Sequence, residues 1–120
     1  MIPRVIIVDD EFDFVDIFRS LLELKEISVV GVAYNGKDAI NLCKKLKPDI
    51  VFSDVKMPNH DGYYVAREIC KMNPRPKIVM MTGSPTAEVT ISLSDLSVDA
   101  IICKPADIEK ILKLVKDLVS

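Results

Sequence analysis

The sequence predicts an α/β protein in which a parallel β-sheet is covered by helices on both faces. Two observations indicate this fold class. Short strand-like runs alternate strictly with segments of helical periodicity, and residues 50–53 form a strand-like run that lies between Pro48 and Pro58. A run of this kind is typical of a strand buried on both sides of a parallel sheet. The strict alternation then requires right-handed crossovers between parallel strands.

Five strands are predicted in chain order, over residues 4–8, 28–33, 50–53, 77–81 and 99–102. Each of them contains valine or isoleucine, which are common in strands because their branched side chains pack well on a pleated surface. The run at 50–53 leads directly into Asp54. We therefore expect this acid at the carboxyl end of a central strand, which is where open α/β sheets bind ligands.

Helices are predicted between and after these strands. The first has an apolar face made of Phe14, Ile17, Phe18, Leu21 and Leu24, and the second has one made of Ala39, Leu42, Cys43 and Leu46. The third is predicted over residues 62–72, and the last follows Asp107, which can cap it. A helix over residues 85–96 is predicted by elimination. Its serines and threonines compete with helical hydrogen bonds, so we expect it to be the least stable.

Length and charge limit the possible functions. At 120 residues we expect one domain over residues 1–120, with a single sizeable core. The formal net charge is −2, and the densest basic cluster, at Lys44, Lys45 and Lys47, has no aromatic residue interleaved with it. Direct binding to nucleic acid is therefore not expected.

The three cysteines, Cys43, Cys70 and Cys103, are widely separated and form no Cys-x-x-Cys pair. We expect buried, reduced thiols, which are typical of cytoplasmic proteins. The apolar stretches are too short to cross a bilayer, and the run at residues 5–8 is too short for a signal peptide. We therefore expect a cytoplasmic location without membrane insertion.

Polar residues follow four of the predicted strands: Asp9 and Asp10 after the first, Asp54 after the third, Thr82 after the fourth and Lys104 after the fifth. Because all strands of a parallel sheet end at the same edge, these side chains should converge. Three carboxylates repel one another unless a divalent cation neutralises them, and a set of oxygen ligands favours Mg²⁺ over zinc. A hydroxyl and an ammonium add groups that bind phosphate, so the set predicts phosphoryl transfer.

Four motifs resemble those of the receiver domain of two-component response regulators. They are Val8-Asp9-Asp10-Glu11, Asp54-Val55-Lys56-Met57-Pro58 with Gly62, Met81-Thr82-Gly83, and Lys104-Pro105. The resemblance covers the whole chain and is closest to stand-alone, chemotaxis-regulator-like receivers. It implies a doubly wound, flavodoxin-like sheet of five parallel strands in the order 2-1-3-4-5. It also implies a cis peptide bond before Pro105.

The resemblance further implies a role for each site residue. Asp54 would be the phosphoacceptor, and the donor would be the phosphohistidine of a sensor histidine kinase or a phosphotransfer protein. Mg²⁺ would be held by Asp10, by Asp54 and by the backbone carbonyl of Lys56, with Asp9 acting mainly through water. Thr82, Gly83 and Lys104 would bind the phosphoryl oxygens. The chain would then catalyse only its own Mg²⁺-dependent phosphorylation and dephosphorylation.

Three residues are expected to modulate this switch. Lys56 and Ser84 should flank the path of the water that hydrolyses the phosphoryl group, and Lys56 should slow that reaction. Ile101 stands where receiver domains usually carry Tyr or Phe, which makes an aromatic switch doubtful. We expect phosphorylation to move the segment from Gly83 to Leu96. A downstream protein would then read the face formed by the helix over 85–96, the fifth strand and the last helix, on a monomer or weak dimer.

Two other functions remain as alternatives. A degenerate receiver used only as a binding module is disfavoured because all the site residues are present. An aspartate-dependent phosphatase is disfavoured because Lys56 stands where such enzymes carry a second acid. A dinucleotide-binding domain is excluded by the lack of a Gly-x-Gly-x-x-Gly motif.

Overall fold

The sheet consists of five parallel strands, as predicted. The computed structural model describes residues 2–83, 86, 96–104 and 107–120. Within them the strands are β1 (Arg4–Val8), β2 (Ser28–Ala33), β3 (Ile50–Asp54), β4 (Lys77–Thr82) and β5 (Ala100–Cys103). Their order is β2-β1-β3-β4-β5, and every neighbouring pair is parallel. This confirms the predicted order, 2-1-3-4-5.

Four helices lie within the described residues: α1 (Phe12–Leu24), α2 (Gly36–Leu46), α3 (Gly62–Cys70) and α4 (Ile108–Val119). The side chains of Asn35, Asp61 and Asp107 cap the last three of these by accepting backbone N–H bonds. The helix predicted over residues 85–96 lies outside the described residues except at Thr86 and Leu96.

The sheet separates two apolar clusters. Alternate residues of β1, such as Ile6 and Ile7, point to opposite faces, so one set packs under α2 and α3 and the other under α1 and α4. Four of the five residues of β1 and all five of β3 are buried. Burying a large apolar side chain stabilises the fold by about 1.5–3 kcal/mol. The acids at the ends of β1 and β3 therefore lie on firmly packed strands.

The core face predicted for α1 is wrong in three of its five residues. Phe18 is buried and Phe14 is partly buried, but Ile17 is 63% exposed, Leu24 is 77% exposed and Leu21 is exposed as well. The helix instead buries Val15, Phe18 and Leu22. Two apolar stripes therefore run along this helix, the predicted one and the one that the structure buries. The buried stripe includes Phe18, whose ring contacts that of Phe52 with 5.3 Å between centroids.

The cysteines are only partly as predicted. All three are free thiols, but Cys70 and Cys103 are exposed and Cys43 alone is buried. Burial raises the pKa of the Cys43 thiol to about 11. In the described part of the chain, no helix has the length and apolar character needed to cross a membrane.

Two glycines fix the loop that follows β3. The Gly62 N–H donates to the Val55 carbonyl at 2.8 Å, and a Cβ at Gly62 would lie 2.3 Å from the Asp54 carbonyl oxygen. The Gly36 N–H donates to the His60 carbonyl at 2.8 Å, and a Cβ at Gly36 would lie 2.4 Å from the same oxygen. Only glycine permits these approaches. The loop over residues 55–61 is thereby held at both ends by main-chain contacts.

Candidate functional site

The predicted site residues meet at the carboxyl edge of the sheet. A cleft of about 330 Å³ is lined by Asp10, Glu11, Asp54, Val55, Lys56, Thr82, Gly83 and Lys104. Asp9 is fully buried. Of the other predicted residues, Ser84 and Pro105 lie outside the described residues, and Ile101 is partly buried on β5 against the cluster under α2 and α3. The parallel topology therefore brings together residues at or just beyond the ends of four different strands.

Asp54 has two carboxylate oxygens with different surroundings. Its Oδ1 accepts a hydrogen bond from the Val55 N–H at 2.9 Å, while its Oδ2 lies 3.5 Å from the Lys104 ammonium. The residue is 8% exposed and lines the cleft. One oxygen is therefore held by the main chain, and the other faces a positive charge.

The pKa of Asp54 is raised from its ordinary 3.8 to about 6. Burial is the largest cause, and the charge of Asp9 adds to it. The charge of Lys104 and the Val55 N–H act in the opposite direction, and Asp10 raises the pKa slightly further. The site therefore resists the ionisation of Asp54 unless more positive charge is brought to it.

Asp9 and Lys104 form the ion pair beneath the cleft. The Lys104 ammonium donates to Asp9 Oδ2, and the Glu11 N–H donates to Asp9 Oδ1 at 3.0 Å. Burial by itself lowers the pKa of Lys104, but the bond to Asp9 and the charges of Asp54, Asp9 and Glu11 outweigh it, so this pKa lies above its ordinary value. Lys104 is therefore held in its charged form.

The lysine is also held through its main chain. Its N–H donates to the carbonyl of Thr82 at 2.8 Å, which joins the end of β5 to the end of β4. Thr82 is 6% exposed, and a Cβ added to the neighbouring Gly83 would meet no atom of the described residues within 4 Å, its chain neighbours apart. Among the described residues, space is thus left beside Gly83 at the margin of the cleft, where an oxygen-rich ligand can approach the main chain.

The acids could hold a cation. In the part of the chain that the structure describes, the carboxylates of Asp9, Glu11 and Asp54 each offer one oxygen, and these oxygens lie within 4.8 Å of one another. A donor set made only of carboxylate oxygens fits a hard divalent ion such as Mg²⁺.

Glu11 belongs to this group although the sequence did not predict it as a ligand. Asp10, which was predicted, lines the cleft outside the group. The signal for Glu11 was its position directly after two acids, at the residue that precedes the first turn of α1.

A test of this electrostatic picture follows from the raised pKa of Asp54. A carboxyl whose pKa is about 6 in the folded protein, against 3.8 ordinarily, contributes stability that is full below about pH 4 and is lost as the pH rises through 6. In EDTA at about pH 7.5, Asp54→Asn should therefore raise the free energy of unfolding by about 1–3 kcal/mol. Urea denaturation measures this difference.

The gain in stability should shrink as the pH falls from about 7 towards 4, where the wild-type carboxyl is protonated. Added Mg²⁺ should stabilise the wild type more than the variant, because a ligand stabilises the state that binds it. Asp117→Asn, a change of an exposed acid on α4, is the matched control and should show neither effect. A variant less stable than the wild type in EDTA would contradict the picture of crowded carboxylates.

Comparison with characterised proteins shows relatives along most of the chain. A protein-glutamate methylesterase/protein-glutamine glutaminase of Pseudoalteromonas translucida is 35% identical over 120 residues, covering 99% of this chain and 30% of the relative. The protein CcdB of Bacillus subtilis is 34% identical over 113 residues, covering 93% of both. The chain thus spans less than a third of the methylesterase and nearly the whole of the second relative.

Solved structures share the fold. The signal receiver domain of the response regulator NarL from Mycobacterium tuberculosis has a TM-score of 0.90 and 25% identity, covering 97% of this chain and 94% of that one. The response regulator domain of Thermotoga maritima CheB has a TM-score of 0.88 at 24% identity, covering 98% and 96%. The family model of the response regulator receiver domain matches residues 5–116. The carboxyl-edge cleft with its acids and lysine therefore belongs to a chain that is a member of the response regulator receiver domain family.

Proposed function

We propose that this chain is a phosphoacceptor switch of a two-component system in which Asp54 receives the phosphoryl group. The donor in this proposal is the phosphohistidine of a sensor histidine kinase or a phosphotransfer protein. Membership of the receiver family supports the signalling role. The observation that supports Asp54 is its geometry, because Oδ2 faces the cleft 3.5 Å from the Lys104 ammonium while Oδ1 is bound to the main chain.

The transfer is a displacement at phosphorus. Asp54 Oδ2 forms a bond to the phosphorus atom as the bond from phosphorus to the donor imidazole nitrogen breaks, and the imidazole leaves with that electron pair. A carboxylate is a weak nucleophile towards a group of the same charge, so catalysis depends on positioning and on positive charge. In this proposal Lys104 provides such a charge, and Thr82 and the main chain at Gly83, which line the cleft, donate to the phosphoryl oxygens.

The proposed ligands of Mg²⁺ are Asp10, Asp54 and the carbonyl of Lys56, with Asp9 acting through water. Because Glu11 lies in the carboxylate group, it is a further ligand in this proposal. Bound Mg²⁺ would supply positive charge to the phosphoryl oxygens. Asp9 is fully buried with both oxygens already hydrogen-bonded, which suits an indirect role.

The first test is phosphorylation by a small donor. Incubation with Mg²⁺ and acetyl phosphate should add the mass of one phosphoryl group to the wild type, and Asp54→Asn should gain none because it lacks the nucleophilic oxygen. Intact mass spectrometry measures the gain, and Asp117→Asn is the control that should still be modified. Modification of Asp54→Asn would show that another residue is the acceptor, and a wild type that gains nothing would favour a receiver used only as a binding module.

A second test concerns the lifetime of the phosphorylated form. Lys56 is exposed and lines the cleft two residues after Asp54, so its long cationic side chain can pair with phosphoryl oxygens and obstruct water. Lys56→Ala should therefore shorten the lifetime, whereas Lys56→Arg should keep most of it. Decay of the phosphorylated mass after removal of the donor measures this, with Lys113→Ala on α4 as the control. An unchanged or longer lifetime in Lys56→Ala would refute the role.

The proposed output is a change on the face formed by residues 85–96, β5 and α4. Turning a two-state switch from mostly off to mostly on takes about 5.5 kcal/mol of differential binding. Two or three charge-assisted hydrogen bonds of about 1.5–3 kcal/mol each can supply it. The segment that joins residues 85–96 to β5 is anchored, because the Arg75 guanidinium donates to the Asp99 carboxylate at 3.0 Å and to the Ser97 carbonyl at 2.7 Å. In this proposal the end of β5, which Lys104 follows directly, is the part drawn towards Asp54.

Amide NMR with beryllofluoride and Mg²⁺ tests the output. The largest shifts beyond the cleft should fall on Ile101 to Lys104 and on residues of the 85–96 segment, since Ile101 is partly buried and can repack. Smaller shifts are expected at Ser97 and Asp99, where the Arg75 contacts hold the chain. Asp54→Asn under the same conditions is the control. Shifts confined to the loops around Asp9, Asp10 and Asp54 would contradict the proposed face.

A further inference from the structure

A partly buried phenylalanine lies against the lysine of the site. The Lys104 ammonium is 4.5 Å from the centroid of the Phe14 ring, which is the geometry of a cation–π contact. This lysine is therefore held by carboxylates on one side and by an aromatic ring on another.

The Phe14 ring is the outermost of a column of three. It stacks on Phe18 with 5.5 Å between centroids and 26° between planes. Phe18 in turn meets Phe52 edge-on at 5.3 Å. Phe52 is fully buried on β3, two residues before Asp54. The column thus fixes the Phe14 ring relative to the strand that carries Asp54.

A lysine side chain needs such a support here. It is a flexible four-carbon stem that ends in a compact charge. Three carboxylates, those of Asp9, Glu11 and Asp54, lie within 4.0 Å of the Lys104 ammonium and compete for it. Phosphorylation would change the charge at Asp54. A bound cation would change how strongly the Asp9 and Glu11 carboxylates attract the ammonium. The attraction of the ring is independent of these changes.

We propose that Phe14 is a positioning residue that keeps the Lys104 ammonium beside Asp54 for phosphoryl transfer. This inference rests on the proposed role of Lys104 in binding the phosphoryl group. The column formed by Phe14, Phe18 and Phe52 sets the place of the ring, and the ring in turn limits where the ammonium can go.

The test compares two substitutions at Phe14 with a matched control on the same helix. Phe14→Leu keeps an apolar side chain but removes the ring face, and it should slow phosphorylation by acetyl phosphate about 3- to 10-fold. Phe14→Tyr keeps the face and should stay within about twofold of the wild type. Phe12→Leu removes an exposed aromatic residue of α1 whose ring centroid lies 4.4 Å from that of Tyr34, and it should leave the rate unchanged. Thermal unfolding establishes that each variant is folded, and Phe14→Met replaces Phe14→Leu if the latter is not.

A spectroscopic measurement separates positioning from packing. The ring current of Phe14 should shift the Lys104 Cε proton resonances upfield in the unphosphorylated protein. This shift should disappear in Phe14→Leu, persist in Phe14→Tyr and be unaffected by Phe12→Leu. Resonances that stay in place in folded Phe14→Leu would overturn the inference, because the ring would then not face the lysine.

The proposed function and the positioning role of Phe14 fail under different results. If the wild type is not phosphorylated at all, the proposed function fails while the ring-current shift remains measurable. If the wild type is phosphorylated and Phe14→Leu reacts at the same rate, the positioning role alone is wrong. A loss of rate in Phe14→Leu that Phe14→Tyr does not restore would assign Phe14 to packing.

Discussion

The rest of the site depends on the attraction between the Lys104 ammonium and the carboxylates around it. A parallel sheet brings the ends of β1 and β3 side by side, and both ends carry acids. Asp9 is fully buried, and an ionised carboxylate in that position is strongly unfavourable unless it is paired and hydrogen-bonded. Lys104 meets this need by donating to Asp9 while it lies 3.5 Å from Asp54. The lysine therefore stabilises the arrangement of acids as well as facing Asp54 Oδ2 across the cleft.

Much of the fold could be predicted because strand positions depend on local composition. The bounds of β1 and β2 agree with the apolar runs that predicted them. The fifth strand begins one residue later than predicted, at Ala100. The later start is explained by Asp99. Its carboxylate accepts hydrogen bonds from the Arg75 guanidinium and from the Ile78 N–H, and these bonds anchor the chain just before the strand. A contact between residues more than 20 positions apart is not visible in local periodicity.

The candidate site was predictable as far as strand topology determines it. Asp10, Asp54, Thr82 and Lys104 each lie at or just beyond the end of a strand, and a parallel sheet makes their convergence a consequence of chain direction. The contributions of Glu11 and Phe14 could not be predicted in this way. Both depend on how the first turn of α1 is rotated about its axis, and the apolar pattern of that helix allows two rotations. In the rotation of α1 that the structure adopts, Phe18 packs on Phe52, a contact between residues far apart in the sequence.

The glycine contacts around the loop after β3 make the two proposed roles of Lys56 separable. The main chain of this loop is held by Gly62 and Gly36, so the position of the Lys56 carbonyl depends on backbone geometry. Substitution of Lys56 changes the side chain that reaches over the cleft and leaves that carbonyl in place. In the proposed switch, related chains can therefore lengthen or shorten the lifetime of the phosphorylated form by substitution at this one position and keep the proposed cation ligand. The proposed timing and ion-binding roles can thus diverge independently.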